Sequence, residues 1–245
     1  MPAPVPLSVA VLIPALDEEE SLPAVLAAIP RGGEGWKLQA LVVADNGSRD
    51  RTAERARAAG ATVVTEPRRG YGSACLAGLA RLESEPPDVV AFLDGDGSSD
   101  PAELERVVAP IVHGEAELVI GSRVLGAREP ASLTAVQEFG NALATRLLRL
   151  LGQPPFTDLG PYRAIRWQTL RALQMRDRDF GWTVEMQARA LRAGARCVEV
   201  PVTCRRRRAG RSKVSGTVSG SAAAGWKILW TIALVALGGR PARDS

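Results

Sequence analysis

The chain has 245 residues, a formal net charge of +4 and a pI near 9.3. Hydrophobic residues make up 46% and charged residues 24%, which excludes a disordered chain, a collagen-like fibre and a multi-span membrane protein. Three cysteines (Cys75, Cys197 and Cys204) and a lone His113 exclude a disulfide scaffold and a His/Cys zinc site.

Residues 1–6 carry no basic leader and run into an apolar strand pattern, so a cytoplasmic chain is expected. Residues 7–13 are apolar, rich in β-branched side chains and closed by Pro14, the pattern of a buried strand. The acids Asp17, Glu18, Glu19 and Glu20 then predict the first turn of a helix reaching about residue 29. A second strand is expected over 37–44. Asp45-Asn46-Gly47-Ser48 is turn chemistry, and 50–59 reads as a helix stopped by Gly60. A strand over 61–65, a helix over 72–82 and a strand over 88–93 complete a β-α-β-α-β-α-β rhythm. That rhythm predicts a parallel sheet covered by helices.

Beyond residue 100 the pattern changes. A helix over 101–112 capped by Asp100, a short strand over 118–120 and a long helix over 133–151 are expected. Helices over 167–173 and 184–193 and a strand over 196–203 follow. The apolar run 228–237 is shorter than the roughly 20 residues a bilayer crossing needs. With Trp226, Lys227 and Trp230 it reads as a core helix or as one lying in a membrane interface.

The excess charge has an address. Six cationic residues stand between Arg205 and Lys213, and the rest of the chain sums to about −2. A nucleic-acid patch would interleave aromatic residues or sit in a recognised module, and neither is near. A solvated loop is the plain reading. A loop that grips phosphate or an anionic membrane surface is the favoured one.

The residues that carry chemistry cluster at predicted strand ends. An apolar strand delivers Asp94-Gly95-Asp96-Gly97, two carboxylates one residue apart, onto a glycine-rich loop. Alternate positions of an extended chain point the same way, so both can address one cation. Oxygen ligands beside a phosphate suit Mg2+ or Mn2+. Glu18 and Asp45, after the first two strands, border the same crevice and can accept hydrogen bonds from a base or ribose. Gly70-Tyr71-Gly72 follows the third strand and lacks the third glycine, so a Rossmann dinucleotide site is rejected.

In this order, the segments Val11-Leu12-Ile13-Pro14-Ala15-Leu16-Asp17-Glu18, Asp45-Asn46-Gly47-Ser48-Arg49-Asp50, Gly70-Tyr71-Gly72, Asp94-Gly95-Asp96 and Gly121-Ser122-Arg123 resemble glycosyltransferase family 2. Within it the chain is most similar to the dolichyl-phosphate mannose and glucose synthases and their polyprenyl-phosphate relatives. That nearer likeness rests on Gly181-Trp182-Thr183-Val184-Glu185-Met186, Glu199-Val200-Pro201-Val202 and the basic stretch. The resemblance implies an α/β GT-A fold, a Rossmann-like and mostly parallel sheet flanked by helices, in one domain over 1–215. About 1–122 would hold the nucleotide sugar and 123–215 the acceptor, and 216–245 would form the C-terminal helix.

The resemblance also implies roles. Pro14, Leu16, Glu18 and Asp45 would line the nucleotide site. Asp94 and Asp96 would hold the metal and diphosphate, with Gly95 allowing close approach. Arg123 would face the sugar or the acceptor phosphate, and Arg207 and Lys213 would reach the diphosphate. The family's acceptor segment falls on 133–141, where Gln137 and Asn141 are the polar candidates. Two departures stand out: Asp17 replaces the usual Asn, and Asn46 replaces a second Asp.

The implied reaction is inverting, metal-dependent transfer of a hexose from a UDP- or GDP-sugar to a polyprenyl phosphate, with no nucleic acid involved. Asp158 and Glu185 would orient the acceptor or the arginines. If the acceptor is a hydroxyl, one of them must serve as base. A non-catalytic polybasic adaptor is the contrasting class.

Overall fold

A computed structural model describes residues 5–152, 156–207 and 218–238, with the backbone alone over 218–226. Eight strands form one mixed sheet. In chain order they are β1 (Leu7–Ala15), β2 (Gly32–Gly33), β3 (Trp36–Asp45), β4 (Thr62–Thr65), β5 (Val89–Phe92), β6 (Leu118–Ser122), β7 (Arg163–Arg166) and β8 (Cys197–Pro201). The helices are α1 (Leu22–Ala28), α2 (Thr52–Ala58), α3 (Tyr71–Leu82), α4 (Leu104–Val112), α5 (Ala135–Leu148), α6 (Trp167–Leu173), α7 (Trp182–Arg192) and α8 (Val218–Ala236). The strands lie in the order β2-β3-β1-β5-β7-β6-β8, and β4 also pairs with β3.

Strand side chains alternate between two covered faces. Ala10, Leu12, Val42, Val90 and Phe92 point to one side, where Leu82, Leu148, Trp182 and Ile232 cover them. Val9, Val11, Ile13, Val43 and Ala91 point to the other, under Leu22, Leu26, Leu104 and Val108. Both faces are apolar, which is why these strands read as continuous runs and not as alternating ones.

The expected parallel core is present: β1 pairs in parallel with β3 and β5, β3 with β4, and β6 with β8. The sequence reading lacked β7, which runs antiparallel between β5 and β6. Its sequence, Arg-Ala-Ile-Arg, has no apolar run to announce it. The side chain of Arg163 is nonetheless buried, its guanidinium held by backbone carbonyls of Leu159, Gly160 and Thr183.

The first helix also differs from expectation. It starts at Leu22, and residues 17–20 form a turn ahead of it. Asp17 adopts a positive φ of 51°. The acids there zip the β1–α1 loop to the β3–α2 loop and do not sit in the first helical turn. Arg49 N donates to Asp17 Oδ1 (2.8 Å), and Glu18 N donates to Thr52 Oγ1 (2.8 Å).

The C-terminal helix is a core element. Ile232 and Val235 of α8 are buried, and α8 packs on α5 and α7. Lys227 Nζ lies 3.4 Å from the carboxylate of the fully buried Asp177. Among the described residues no helix is long and apolar enough to cross a membrane.

Candidate active site

Three parallel strands deliver the site. Ala15 of β1 lies opposite Asp45 of β3, and Leu12 lies opposite Phe92 of β5. The segments leaving these strands therefore emerge at one edge of the sheet, where open α/β sheets bind ligands. They line a cavity of about 420 Å³. Pro14, Leu16, Glu18, Asp94, Gly95, Asp96 and Arg207 are all in its wall.

Asp45 is absent from that wall, contrary to expectation. It is buried at the end of β3 and accepts a hydrogen bond from Ser48 N at 3.2 Å, so it shapes the turn. Its neighbour Asn46 lines the cavity instead. Asn46 Nδ2 donates to the carbonyls of Glu66 (3.0 Å) and Arg68 (2.7 Å), and its Oδ1 accepts from Gly70 N (2.8 Å). Those three bonds fix the segment that carries Arg69 and Tyr71 into the wall.

Arg69, Tyr71, Asp179 and Phe180 also line the cavity, and the sequence reading did not assign them. The available signal was the pair Gly70 and Gly72. A Cβ on Gly72 would lie 2.0 Å from the Asp177 carbonyl oxygen, and one on Gly70 would lie 2.1 Å from that of Arg178. The glycines let the 177–180 segment pass against the start of α3, where Ser73 N donates to Arg178 O at 2.8 Å.

The acidic pair sets the electrostatics. Burial first, and then the charge of Asp96, pushes the Asp94 carboxyl up to about 7. Tyr71 Oη donates to Asp94 Oδ1 at 3.3 Å. Asp96 Oδ1 accepts from Ser98 N at 2.9 Å. The Arg207 guanidinium bridges two carboxylates, with Nη1 2.7 Å from Glu18 Oε1 and Nη2 3.0 Å from Asp96 Oδ2. Arg205 pairs with Asp100 as well, and the Arg206 guanidinium donates to the Pro130 carbonyl (2.7 Å). Lys213 lies outside the described residues. Among the described residues, no three His, Cys, Asp or Glu side chains gather as a metal cluster. Any cation here would take Asp94 and Asp96 and complete its shell from a ligand.

Arg123 follows β6. Its backbone N, Nε and Nη2 each donate to the carboxylate of Asp158 at 2.8 Å. Asp158 is fully buried, so this is a fork-on-fork pair with strong directional preference. The 157–160 segment that presents it is held by side chains from four elements. Glu199 of β8 accepts from Thr157 Oγ1 (2.8 Å) and Asp158 N (3.0 Å). Asn141 of α5 donates to Thr157 O (2.9 Å) and accepts from Leu159 N (2.8 Å). Gln187 of α7 donates to Asp158 O (3.0 Å), and Arg163 of β7 donates to Leu159 O (2.8 Å). Burial pushes Glu199 upward and lowers Arg163 to about 10.

The remaining candidates are engaged elsewhere. Gln137 closes a capping box with Thr134 at the start of α5. Glu185 is fully buried away from the cavity, where it accepts from Asp177 N (2.8 Å) and pairs with Arg189 Nε (2.7 Å). Asn141 spends both amide atoms on the 157–159 backbone. Asp158 and Glu185, the two candidate bases, are thus each paired with an arginine.

Comparison with known proteins shows the family. The pattern described as Glycosyl transferase family 2 matches residues 10–174. An uncharacterized glycosyltransferase of Mycobacterium tuberculosis is 44% identical over 227 residues, covering 91% of this chain and 98% of that protein. An undecaprenyl-phosphate mannosyltransferase of Micrococcus luteus is 34% identical, covering 88% and 91%. The crystal structure of glucosyl-3-phosphoglycerate synthase from M. tuberculosis with Mn2+, UDP-glucose and phosphoglyceric acid superposes with a TM-score of 0.73 at 23% identity, covering 96% and 81%. That likeness is one of fold, and the fold is GT-A. With an acidic loop at the carboxyl edge of a GT-A sheet and a family pattern spanning most of its length, the chain belongs to glycosyl transferase family 2 and is a glycosyltransferase.

Proposed function

We propose that the chain transfers a hexose from a UDP- or GDP-sugar to a polyprenyl phosphate, with inversion and with Mg2+ or Mn2+ held by Asp94 and Asp96. The Micrococcus relative supports the lipid phosphate acceptor, and the Mn2+ and UDP-glucose of the solved structure support the donor and the metal. The observation that carries the reading is the acidic pair itself. Two close carboxylates, one of them held near 7, favour a cation, and a guanidinium already lies on Asp96. When bound, the cation supplies positive charge to the departing diphosphate.

The chain's own residues do the rest. Glu18 and Asn46 lie in the wall where a nucleoside would sit, and Arg207 can leave its carboxylates for the diphosphate. Arg123, fixed by Asp158, presents a guanidinium to the acceptor phosphate or the transferred sugar. A phosphate is already an anion and needs orientation more than a base. The engagement of Asp158 and Glu185 by arginines therefore favours a phosphate acceptor over a hydroxyl. In this reading about 1–122 hold the donor, 123–215 serve the acceptor, and the chain works peripherally on the cytosolic membrane face.

Labelled UDP- or GDP-hexose, Mn2+ and polyprenyl phosphate test this directly. The expected product is extractable into organic solvent and labile to mild acid. An acid-stable glycoside would overturn the phosphate acceptor. Asp96→Asn should lower turnover on the order of a hundredfold or more with its circular dichroism unchanged. Full activity in that variant would remove the metal assignment.

A further inference from the structure

Helix α5 is apolar on two sides. One side carries Ala144 and Leu148 into the core, against α7 and α8. The other leaves Val136, Phe139 and Leu143 in solvent, and Leu150 follows just past the helix end. Phe139 is 71% exposed and Leu150 81%. Spacings of three, four and seven put these residues on one stripe, about 20 Å long at 1.5 Å per residue. Val124 and Leu125, in the loop before α5, are exposed as well. The solvent side of a surface helix is ordinarily polar.

The charge beside this stripe is cationic. Arg146 and Arg149 are exposed, and neither has an ion-pair partner among the described residues. Arg128 is compensated by Glu138 at 2.9 Å. All three arginines border a cavity of about 600 Å³ beside α5. An apolar ridge flanked by uncompensated arginines matches a surface that is apolar within and anionic at its boundary, which is a bilayer containing acidic lipids.

We propose that α5 is a membrane-docking helix, with Val136, Phe139, Leu143 and Leu150 entering the headgroup–acyl boundary and Arg146 and Arg149 meeting lipid phosphates. The contact falls on α5 and not on α8, whose Ile232 and Val235 are committed to the core. Thr157 lines the cavity beside α5, and the next residue, Asp158, holds Arg123. Docking thus places the bilayer on the acceptor side of the molecule. It does not depend on the acceptor being a lipid, and its test does not use the transfer reaction.

Flotation of the full chain with vesicles of phosphatidylcholine, with and without phosphatidylglycerol, tests the assignment. Binding to the anionic vesicles is expected, weakened by salt. Phe139→Ser with Leu143→Ser, and separately Arg146→Glu with Arg149→Glu, should each lower it on the order of tenfold. Thermal stability and UDP or GDP binding should stay at the parent level in both. Absence of binding by the parent chain, or full binding by both variants, would overturn the proposal. So would loss of binding in Trp230→Ser, which alters an exposed residue of α8, or a dimer in solution that the Phe139/Leu143 variant dissociates.

Discussion

The raised pKa of Asp94 makes this one side chain a liability to the fold and an asset to the site. Its value of about 7 lies above that of an unfolded aspartate, about 3.9. Below about pH 4 both states carry the proton and folding loses nothing. As pH climbs toward 7 the folded chain is progressively penalised, and above 7 the penalty is complete. Without divalent metal, Asp94→Asn should therefore melt above the parent at pH 8 by several degrees, since each kcal/mol is worth roughly 2–4 °C in a chain this size. The gap should close at pH 4. Melts at the two pH values check this, and a pH-independent gap would show that charge is not the cause. The place of Asp94, Asp96 and Glu18 in the cavity wall was legible because they follow apolar runs at the carboxyl ends of strands. The exchange of Asp45 for Asn46 was not, because turn geometry alone decides which neighbour faces inward. The partnership of Arg123 with Asp158 joins positions far apart in the chain, and no local pattern announces it.

Elements with local signatures were read correctly. The alternating strands and helices of the first hundred residues follow from apolar runs separated by turn chemistry. The misjudged start of α1 has a tertiary cause: the carboxylates of Asp17 and Glu19 serve a neighbouring loop, and that service overrides their preference for a helix N-terminus. Where two segments cross closely, the sequence offers only glycines. At Gly72 this gives a sharp expectation. Gly72→Ala would place a methyl group 2.0 Å from the Asp177 carbonyl oxygen, so the 177–180 segment must shift. A loss of about 1–3 kcal/mol by urea unfolding is expected, as for other overpacked sites. Nucleotide affinity should fall with it, because Asp179 and Phe180 line the cavity. Unchanged stability and affinity would mean that the segment yields freely.

At the scale of the whole molecule, α8 is tied to the cavity at the sheet edge through one buried charge. Asp177 is fully buried, opens the segment that lines the cavity, and faces Lys227. Lys227→Met would leave this carboxylate uncompensated. Because water still reaches the lysine, the expected loss is about 1–3 kcal/mol, below that of a fully buried pair. Adding Asp177→Asn should recover most of it. A double-mutant cycle by urea unfolding measures the coupling, and additive effects would mean that the pair contributes nothing. This anchorage was illegible in the apolar run of α8, which suits a core and an interface equally well.

The placement of β7 has a consequence for how the molecule is made. Its two neighbours, β5 and β6, both leave the ribosome before it, yet neither has its antiparallel partner until residues 163–166 emerge. Until then β5 has one open edge and β6 has two, since its parallel partner β8 emerges later still, and open edges invite aggregation. The strand that fills this gap is four residues long, and its arginine is held by backbone carbonyls of the preceding turn and of α7, which emerges later still. A protein with this topology fills the middle of its sheet late, and only the edge strand β8 follows.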